Sequence, residues 1–243
     1  MVLALASAPD PFAPESAPHA LRVVWQEDDL VAIDKPSGLL SQGGPGAAGA
    51  NVVDLARERF RREGVGVLHR LDRNVSGLVL VSLARDVGEA MSCAFAEGRV
   101  ERRYEAVAKV PRALEVTDQV IDAPLVKDAR TNLVRLARDG EPGAKPARTR
   151  VHLRERVQAP LGWLAILDCW PITGRSHQIR AHLRSAEMPL VGDPKYGVAA
   201  RGVSRPLLHA SAMAFTHPRT GRRVELALPA PWSRAALLTL RRA

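Results

Sequence analysis

Apolar and polar positions along the chain follow two different periods. Short β-rich runs, Leu21 to Trp25 and Leu30 to Ile33, surround an acidic turn and close on the breaker Pro36-Ser37-Gly38. Asn51 stands where it can cap a helix over "VVDLARERFRRE", with Gly64 and Gly66 ending it. A dense charged knot of His69, Arg70, Asp72 and Arg73 comes next, and the apolar run Leu78 to Leu83 after it reads as a fully buried strand. Asp86 opens a second helix with Val87, Met91, Ala94 and Phe95 on one face, and Gly98 stops it. "VERRYEAVAKV" predicts a strand. Between Pro111 and Arg148 the pattern weakens into short strands and the Gly/Pro loop "DGEPGAKPA", a natural place for an insertion or hinge. "RTRVHL" and "WLAILDCW" predict strands leading to "PITGRSHQIRAHLRSA", where Ser176 is placed to cap a helix that turns Ile179 and Leu183 inward. "LLHASAMAF" and "RRVELAL" flank a turn, and "WSRAALLTLRR" reads as a terminal helix. Strands outnumber helices without strict βαβ alternation, which predicts an α+β fold with a mixed, mainly antiparallel sheet flanked by helices.

Composition narrows the partner. The 243 residues carry a net charge of +9, and a surplus of cations gains free energy by displacing counterions from phosphates. Only Lys35, Lys109, Lys127, Lys145 and Lys195 are lysine, so arginine dominates the basic residues. Its planar fork suits phosphate and base stacking, although an arginine-rich, alanine-rich bias also fits genomic base composition. Cys93 and Cys169 stand far apart without a CxxC partner, which argues against a disulfide framework or a structural zinc site and suits a reducing cytoplasm. Residues 1–20 have no basic start before their apolar stretch and are broken by prolines. They read as a disordered tail rather than a signal peptide, leaving residues 21–243 as one domain. No apolar run approaches the roughly 20 residues a bilayer span needs, so no membrane is expected.

Several motifs fit a known pattern only by letter. Gly44, Gly46 and Gly49 spell GxGxxG, but Lys35 to Gly38 separates them from the preceding strand, and the acidic residue about 20 positions on is missing, so a flexible loop is the better reading. His177 and His182 are five apart, not on one helix face, with no glutamate between; no metal is expected there. The knot at His69 to Ser76 is different. A solvated turn would explain its charges, yet apolar runs on both sides draw Asp72 toward the interior, where an unpaired carboxylate is costly. Such a group calls for a cation, and Arg70, Arg73 or an arginine from elsewhere in the fold could supply it.

"HRLDRNVSGLVLV" resembles the catalytic motif HRLDxxTSG of the RluA-type RNA pseudouridine synthases. "DDLVAIDKPSGLL", "RRYEAVAKV", "AKPARTRV", "PITGRSHQIRAHL", "PLVGDPKYG" and "LHASAMAFTHPRTG" resemble that family's other landmarks, in the family's order from Leu21 to about Trp232. The resemblance implies a catalytic cleft across the sheet and isomerisation of uridine to pseudouridine at sites in structured RNA, ribosomal or transfer. The family's reaction breaks the N-glycosidic bond, turns the uracil and rejoins it through C5, with no cofactor and no metal. Asp72 falls on the essential nucleophile or base. Arg180 falls on the arginine that keeps that carboxylate ionised, and Tyr104 on the tyrosine that stacks on the flipped base and takes the C5 proton. Arg70 matches the arginine that fills the gap in the RNA stack. Arg73, His69, Arg175, His177 and Gln178 are set beside it as RNA contacts, with His69 supporting the loop and given no chemistry. Leu78 and Ile179 are assigned to the pocket or the core beneath it, and Gly77 to a close backbone approach behind the aspartate loop.

Two departures qualify the resemblance. Val75 stands where the family usually has threonine, so a hydroxyl near the aspartate loop is absent. The residues before Leu21 are too few for the S4-type domain that many relatives carry, so RNA grip is expected from Arg57, Arg59, Arg61, Arg62 and the basic middle segment, unless these are merely solvated faces. A non-catalytic RNA-binding or chaperone protein on the same fold is the competing reading, and a nucleotide-cofactor enzyme using the glycine loop a distant third. No heptad or exposed apolar face suggests more than a monomer.

Overall fold

In the computed structural model, Phe12 and residues 21–44, 50–113 and 118–243 are described. Twelve strands and four helices alternate irregularly among them. The strands are β1 (Arg22–Glu27), β2 (Leu30–Lys35), β3 (Gly66–Val67), β4 (Ser76–Ser82), β5 (Glu101–Lys109), β6 (Gln119–Asp122), β7 (Leu125–Asp128), β8 (Leu133–Leu136), β9 (Arg148–Ala159), β10 (Gly162–Pro171), β11 (Leu208–Thr216) and β12 (Arg223–Ala227). The helices are α1 (Val52–Phe60), α2 (Arg85–Ala96), α3 (Gln178–Ser185) and α4 (Arg234–Leu238). Ten strands form one sheet whose main path runs β1-β2-β4-β11-β5-β10-β9-β6, with β12 beside β11 and β3 beside β4; β7 and β8 make a separate hairpin. Only β4 and β11 pair in parallel, so the sheet is mixed and mainly antiparallel, as the sequence predicts.

Burial on both faces explains the apolar run after the charged knot. β4 is buried along its whole length, hydrogen-bonded to β2 on one side and β11 on the other. A strand covered on both faces needs near-continuous apolar residues. Val79, Leu80 and Val81 supply them, joined in the main core by Val87 and Met91 of α2. Burying each such side chain contributes about 1.5–3 kcal/mol. Gly77 is required where β4 meets β11: its φ is +117°, and a Cβ there would stand 2.4 Å from the Ala210 carbonyl oxygen. A second apolar cluster, with Val107, Leu164, Ile166, Leu207, Trp232 and Leu237, lies under α4. A third, Leu125, Val134, Ala147 and Ala181, fixes the hairpin against α3.

Several boundaries depart from expectation. Helix α1 is capped by Asn51, whose side chain accepts from the Asp54 amide, but it ends at Phe60 because Arg61 turns left-handed (φ 51°) before either glycine is reached. Ser176 does not cap α3. His177 occupies the cap position with φ 51°, and no side chain caps there; the preceding turn is held by Gln178 Oε1, which accepts from the Arg175 amide (3.0 Å) and the Thr173 hydroxyl (2.6 Å). Phe12, inside the segment expected to be a tail, is buried in the second cluster. The other residues of that segment, and Gly46 and Gly49 of the glycine loop, lie outside the described residues.

Candidate active site

The loop carrying Asp72 is moulded by the chain just after β2. Ser41 Oγ accepts from the Leu71 amide and donates to the Leu71 carbonyl, both at 3.0 Å. Ser37 Oγ donates to the Asn74 carbonyl at 2.9 Å, and the Gly38 amide to the Arg73 carbonyl at 2.8 Å. The fully buried Lys35 donates from Nζ to the carbonyls of Pro36 (2.9 Å), Leu39 (2.8 Å) and Arg73 (3.1 Å). Backbone groups on both sides of Asp72 are thus satisfied by fixed partners, which holds the loop in one shape. Val75, the departure from the threonine pattern, is buried, and its amide closes the turn onto the Asp72 carbonyl at 3.0 Å.

Helix α3 brings the cation. Arg180 Nη1 donates to Asp72 Oδ2 at 2.7 Å, while its Nε and Nη2 make a forked pair with Asp193, both at 2.8 Å. Asp193 is itself fixed by accepting from the Lys195 (2.9 Å) and Tyr196 (3.2 Å) amides. The guanidinium also lies over the Tyr196 ring, 4.9 Å from its centroid. Burial works against the charge of Arg180, but hydrogen bonds and attraction from Asp193, and then from Asp72, outweigh it and raise its pKa. Burial likewise opposes ionisation of Asp193, yet Arg180 holds its pKa below the usual carboxylate range. The Asp72 side chain is 26% exposed, open enough to meet a ligand and flanked by a cation that cannot move away.

Asp72, Arg180 and Tyr104 share one cleft of about 900 Å³, lined also by Leu71, Val75, Ile179 and Leu208. Tyr104 is buried, and desolvation raises its phenol pKa, with Asp72 adding to the effect and Arg102 opposing it. Arg70 and Arg175 line the cleft and are exposed; Arg175 also donates from Nε to the Pro146 carbonyl at 3.0 Å.

The remaining assigned side chains are engaged in different ways. Arg73 is not among the cleft residues and turns its Nε to the Gly38 carbonyl (2.9 Å). His69 lines the cleft and supports the loop behind it. Its Nε2 accepts from the Leu80 amide (3.1 Å) and its ring stacks on Phe95, while burial, then the charge of Arg102, drives its pKa down to about 3. Gln178 is buried, and its amide nitrogen is spent on the Arg148 carbonyl (2.8 Å) and Thr149 hydroxyl (3.0 Å). Leu78 is wholly buried in the core and does not line the cleft, whereas Ile179 does.

Residues 29–185 match the family model described as RNA pseudouridylate synthase. The chain belongs to the RNA pseudouridylate synthase family. It is 32% identical to "Uncharacterized RNA pseudouridine synthase YlyB" of Bacillus subtilis, with 96% of this chain and 77% of that protein covered. It is 31% identical to "Ribosomal large subunit pseudouridine synthase C" of Escherichia coli over 85% of this chain, and spans 66% of that relative's length. The solved structure titled "Human RNA Pseudouridylate Synthase Domain Containing 1" shares its fold, with a TM-score of 0.74 at 24% identity over 92% of this chain and 89% of that one. For an RNA pseudouridylate synthase, the residues that sequence reasoning left without a role are informative. Arg102 lines the cleft beside Tyr104, and Asp193 and Tyr196 brace Arg180. Their signal was present in "RRYEAVAKV" and "PLVGDPKYG", but only as landmarks. Among the described residues no group of three or more His, Cys, Asp or Glu could hold a metal ion, and no helix is long and apolar enough to cross a membrane.

Proposed function

We propose that this synthase isomerises uridine to pseudouridine in a structured ribosomal RNA in the cytoplasm, with Asp72 as the nucleophile. The observation that carries the reading is the Asp72 carboxylate held at 2.7 Å by Arg180 in a cleft that also contains Tyr104 and arginines facing solvent. The relatives named for the ribosomal large subunit favour ribosomal over transfer RNA as substrate.

The chemistry follows from these groups. A target uridine must leave its stack, at a cost of a few kcal/mol, and stacking on Tyr104 returns about 1–3 kcal/mol. Arg180 occupies Oδ2, leaving Oδ1 to attack ribose C1′. The C1′–N1 bond breaks with its electron pair going to the uracil, which turns within the cleft. C5 then bonds to C1′, and the carboxylate leaves with the electron pair of the ester bond. The C5 proton departs last. The phenol of Tyr104 is protonated at neutral pH, so it can take that proton only by passing its own onward. Arg70, exposed where it lines the cleft, is the side chain that fills the space the flipped base leaves in this reading.

The test is tritium release from uracil C5 in transcribed ribosomal and transfer RNAs, with wild type and Asp72→Ala side by side. Release by wild type alone from ribosomal RNA is expected. Equal release by Asp72→Ala removes Asp72 from the chemistry, and tight RNA binding without any release favours a non-catalytic RNA-binding role.

A further inference from the structure

His177 was set among the RNA contacts, but its surroundings point inward. Its Nδ1 lies 2.7 Å from Tyr196 Oη, which also accepts from the Val134 amide at 2.8 Å. Its Nε2 lies 3.9 Å from Asp72 Oδ1, the carboxylate oxygen that Arg180 does not hold. The side chain is only 11% exposed, and the backbone is left-handed, φ 51° and ψ 17°, a conformation that is strained for a residue other than glycine and tends to persist where a site depends on it.

The hydrogen bonds select a tautomer. Tyr196 has one phenolic proton, and among the described residues the only acceptor within reach of it is His177 Nδ1. If Nδ1 carried a proton instead, the buried phenol would keep a donor with no partner, an arrangement that costs free energy. With Tyr196 donating to Nδ1, the ring proton must sit on Nε2, facing Asp72. The charged groups around the ring are Asp72, Asp193, Arg180 and Lys195. Burial, then Arg180 and Lys195, disfavours the imidazolium more than the two carboxylates favour it, so the ring is neutral near pH 7.

We infer that His177, locked by Tyr196 as the Nε2–H tautomer, is a positioning residue that donates a second hydrogen bond to Asp72 as the target nucleotide closes the cleft. The 3.9 Å separation is longer than a hydrogen bond, and such contacts commonly tighten only in the substrate complex. Arg180 then fixes Oδ2, and the His177 Nε2–H orients Oδ1 toward C1′ and stabilises the charge that returns to that oxygen when the ester bond breaks. The inference rests on Asp72 being the reacting carboxylate.

The experiment combines long-range 1H–15N NMR of the full chain, labelled at histidine, with single-turnover tritium release by four variants. Wild type at pH 7 is expected to show His177 unprotonated at Nδ1 and protonated at Nε2. Tyr196→Phe keeps the ring under Arg180 but removes the hydroxyl, and its rate should fall about 10- to 100-fold, the size of a lost hydrogen bond to a charged group, with RNA affinity unchanged. His177→Leu should fall as far, and His177→Gln, whose amide can reach the same oxygen, should recover most of the loss. An Nδ1-protonated or imidazolium ring, or wild-type rates in Tyr196→Phe and His177→Leu, would overturn the inference; so would lost RNA affinity at an unchanged rate, which would make His177 a substrate contact. Asp72→Asn, run alongside, separates the two levels. Turnover in that variant sinks the assignment of Asp72, whereas its inactivity with normal turnover in Tyr196→Phe sinks the role of the tautomer alone.

Discussion

The two faces of one sheet treat arginine in opposite ways. On β5, Arg102 and Tyr104 line the cleft, while Arg103 and Glu105 line a second cavity of about 410 Å³ on the other face. In that second cavity the charges are compensated. Arg154 lies 2.6 Å from Glu105 and 3.0 Å from Asp168, Arg103 lies 3.9 Å from Asp168, and Arg234 lies 2.5 Å from Glu155. Trp232 Nε1 adds a bond to Glu105 at 2.7 Å. On the cleft face, Arg70, Arg102 and Arg175 have no carboxylate in salt-bridge range among the described residues. Arginine content alone cannot distinguish a genomic bias from an RNA site. Placement can, because a cation left uncompensated beside a cleft is available to phosphate, and a neutralised one is not.

The largest effect should come from the one cleft arginine that is fully paired. Arg180→Ala strands Asp193 in the interior and leaves Asp72 without its cation, and removing one partner of a buried pair typically costs about 3–5 kcal/mol. Thermal or denaturant unfolding should register that loss together with the loss of turnover. An unchanged melting temperature would show that Asp193 finds another partner, and the contrast between a braced carboxylate and free cations would fail. Arg154→Ala comes next. Glu105 and Asp168 are both mostly buried and would lose their shared cation, so stability should drop by about 1–3 kcal/mol. Tritium release from the RNA at a temperature where the variant is folded should be unaffected, and a specific loss of activity there would mean that the second face also meets substrate.

How much of this was legible depended on sequence distance. The aspartate loop and the strand behind it read directly, because the charged knot and the apolar run are contiguous, and Gly77 forecast the close approach that Ala210 makes. The partner of Asp72 could not be found by local spacing, since Arg180 is 108 residues away; only the resemblance supplied it. Asp193 and Tyr196 were in view without a role, because their function exists only once α3 has folded over the loop. Gln178 and His69 have a further role that spacing does not display. A polar side chain in a motif reads as available, but here each satisfies backbone groups that burial would otherwise leave unpaired. For Leu78 the sequence leaves pocket and core open, and the fold puts it in the core, since strand residues alternate between faces and nearness to Asp72 in sequence does not place a side chain in the cleft. The parallel pairing of β4 with β11 left no periodic trace at all.

The smallest effect is the most discriminating. Arg102 donates weakly to the Pro171 carbonyl, at 3.3 Å, and lies over the Phe95 ring at 5.8 Å, so its removal should leave stability nearly unchanged. If its charge is reserved for phosphate, Arg102→Ala should weaken binding to different RNAs to a similar degree and reduce the slope of log affinity against log salt by about 1. Arg234→Ala removes the same charge from the other face, where Glu155 already neutralises it, and should leave that slope as it was. Equal slopes in the two variants would mean that the RNA senses only the total charge of the protein, whereas a difference confined to Arg102 would place a phosphate beside Tyr104 and tie the basic composition of the chain to its chemistry.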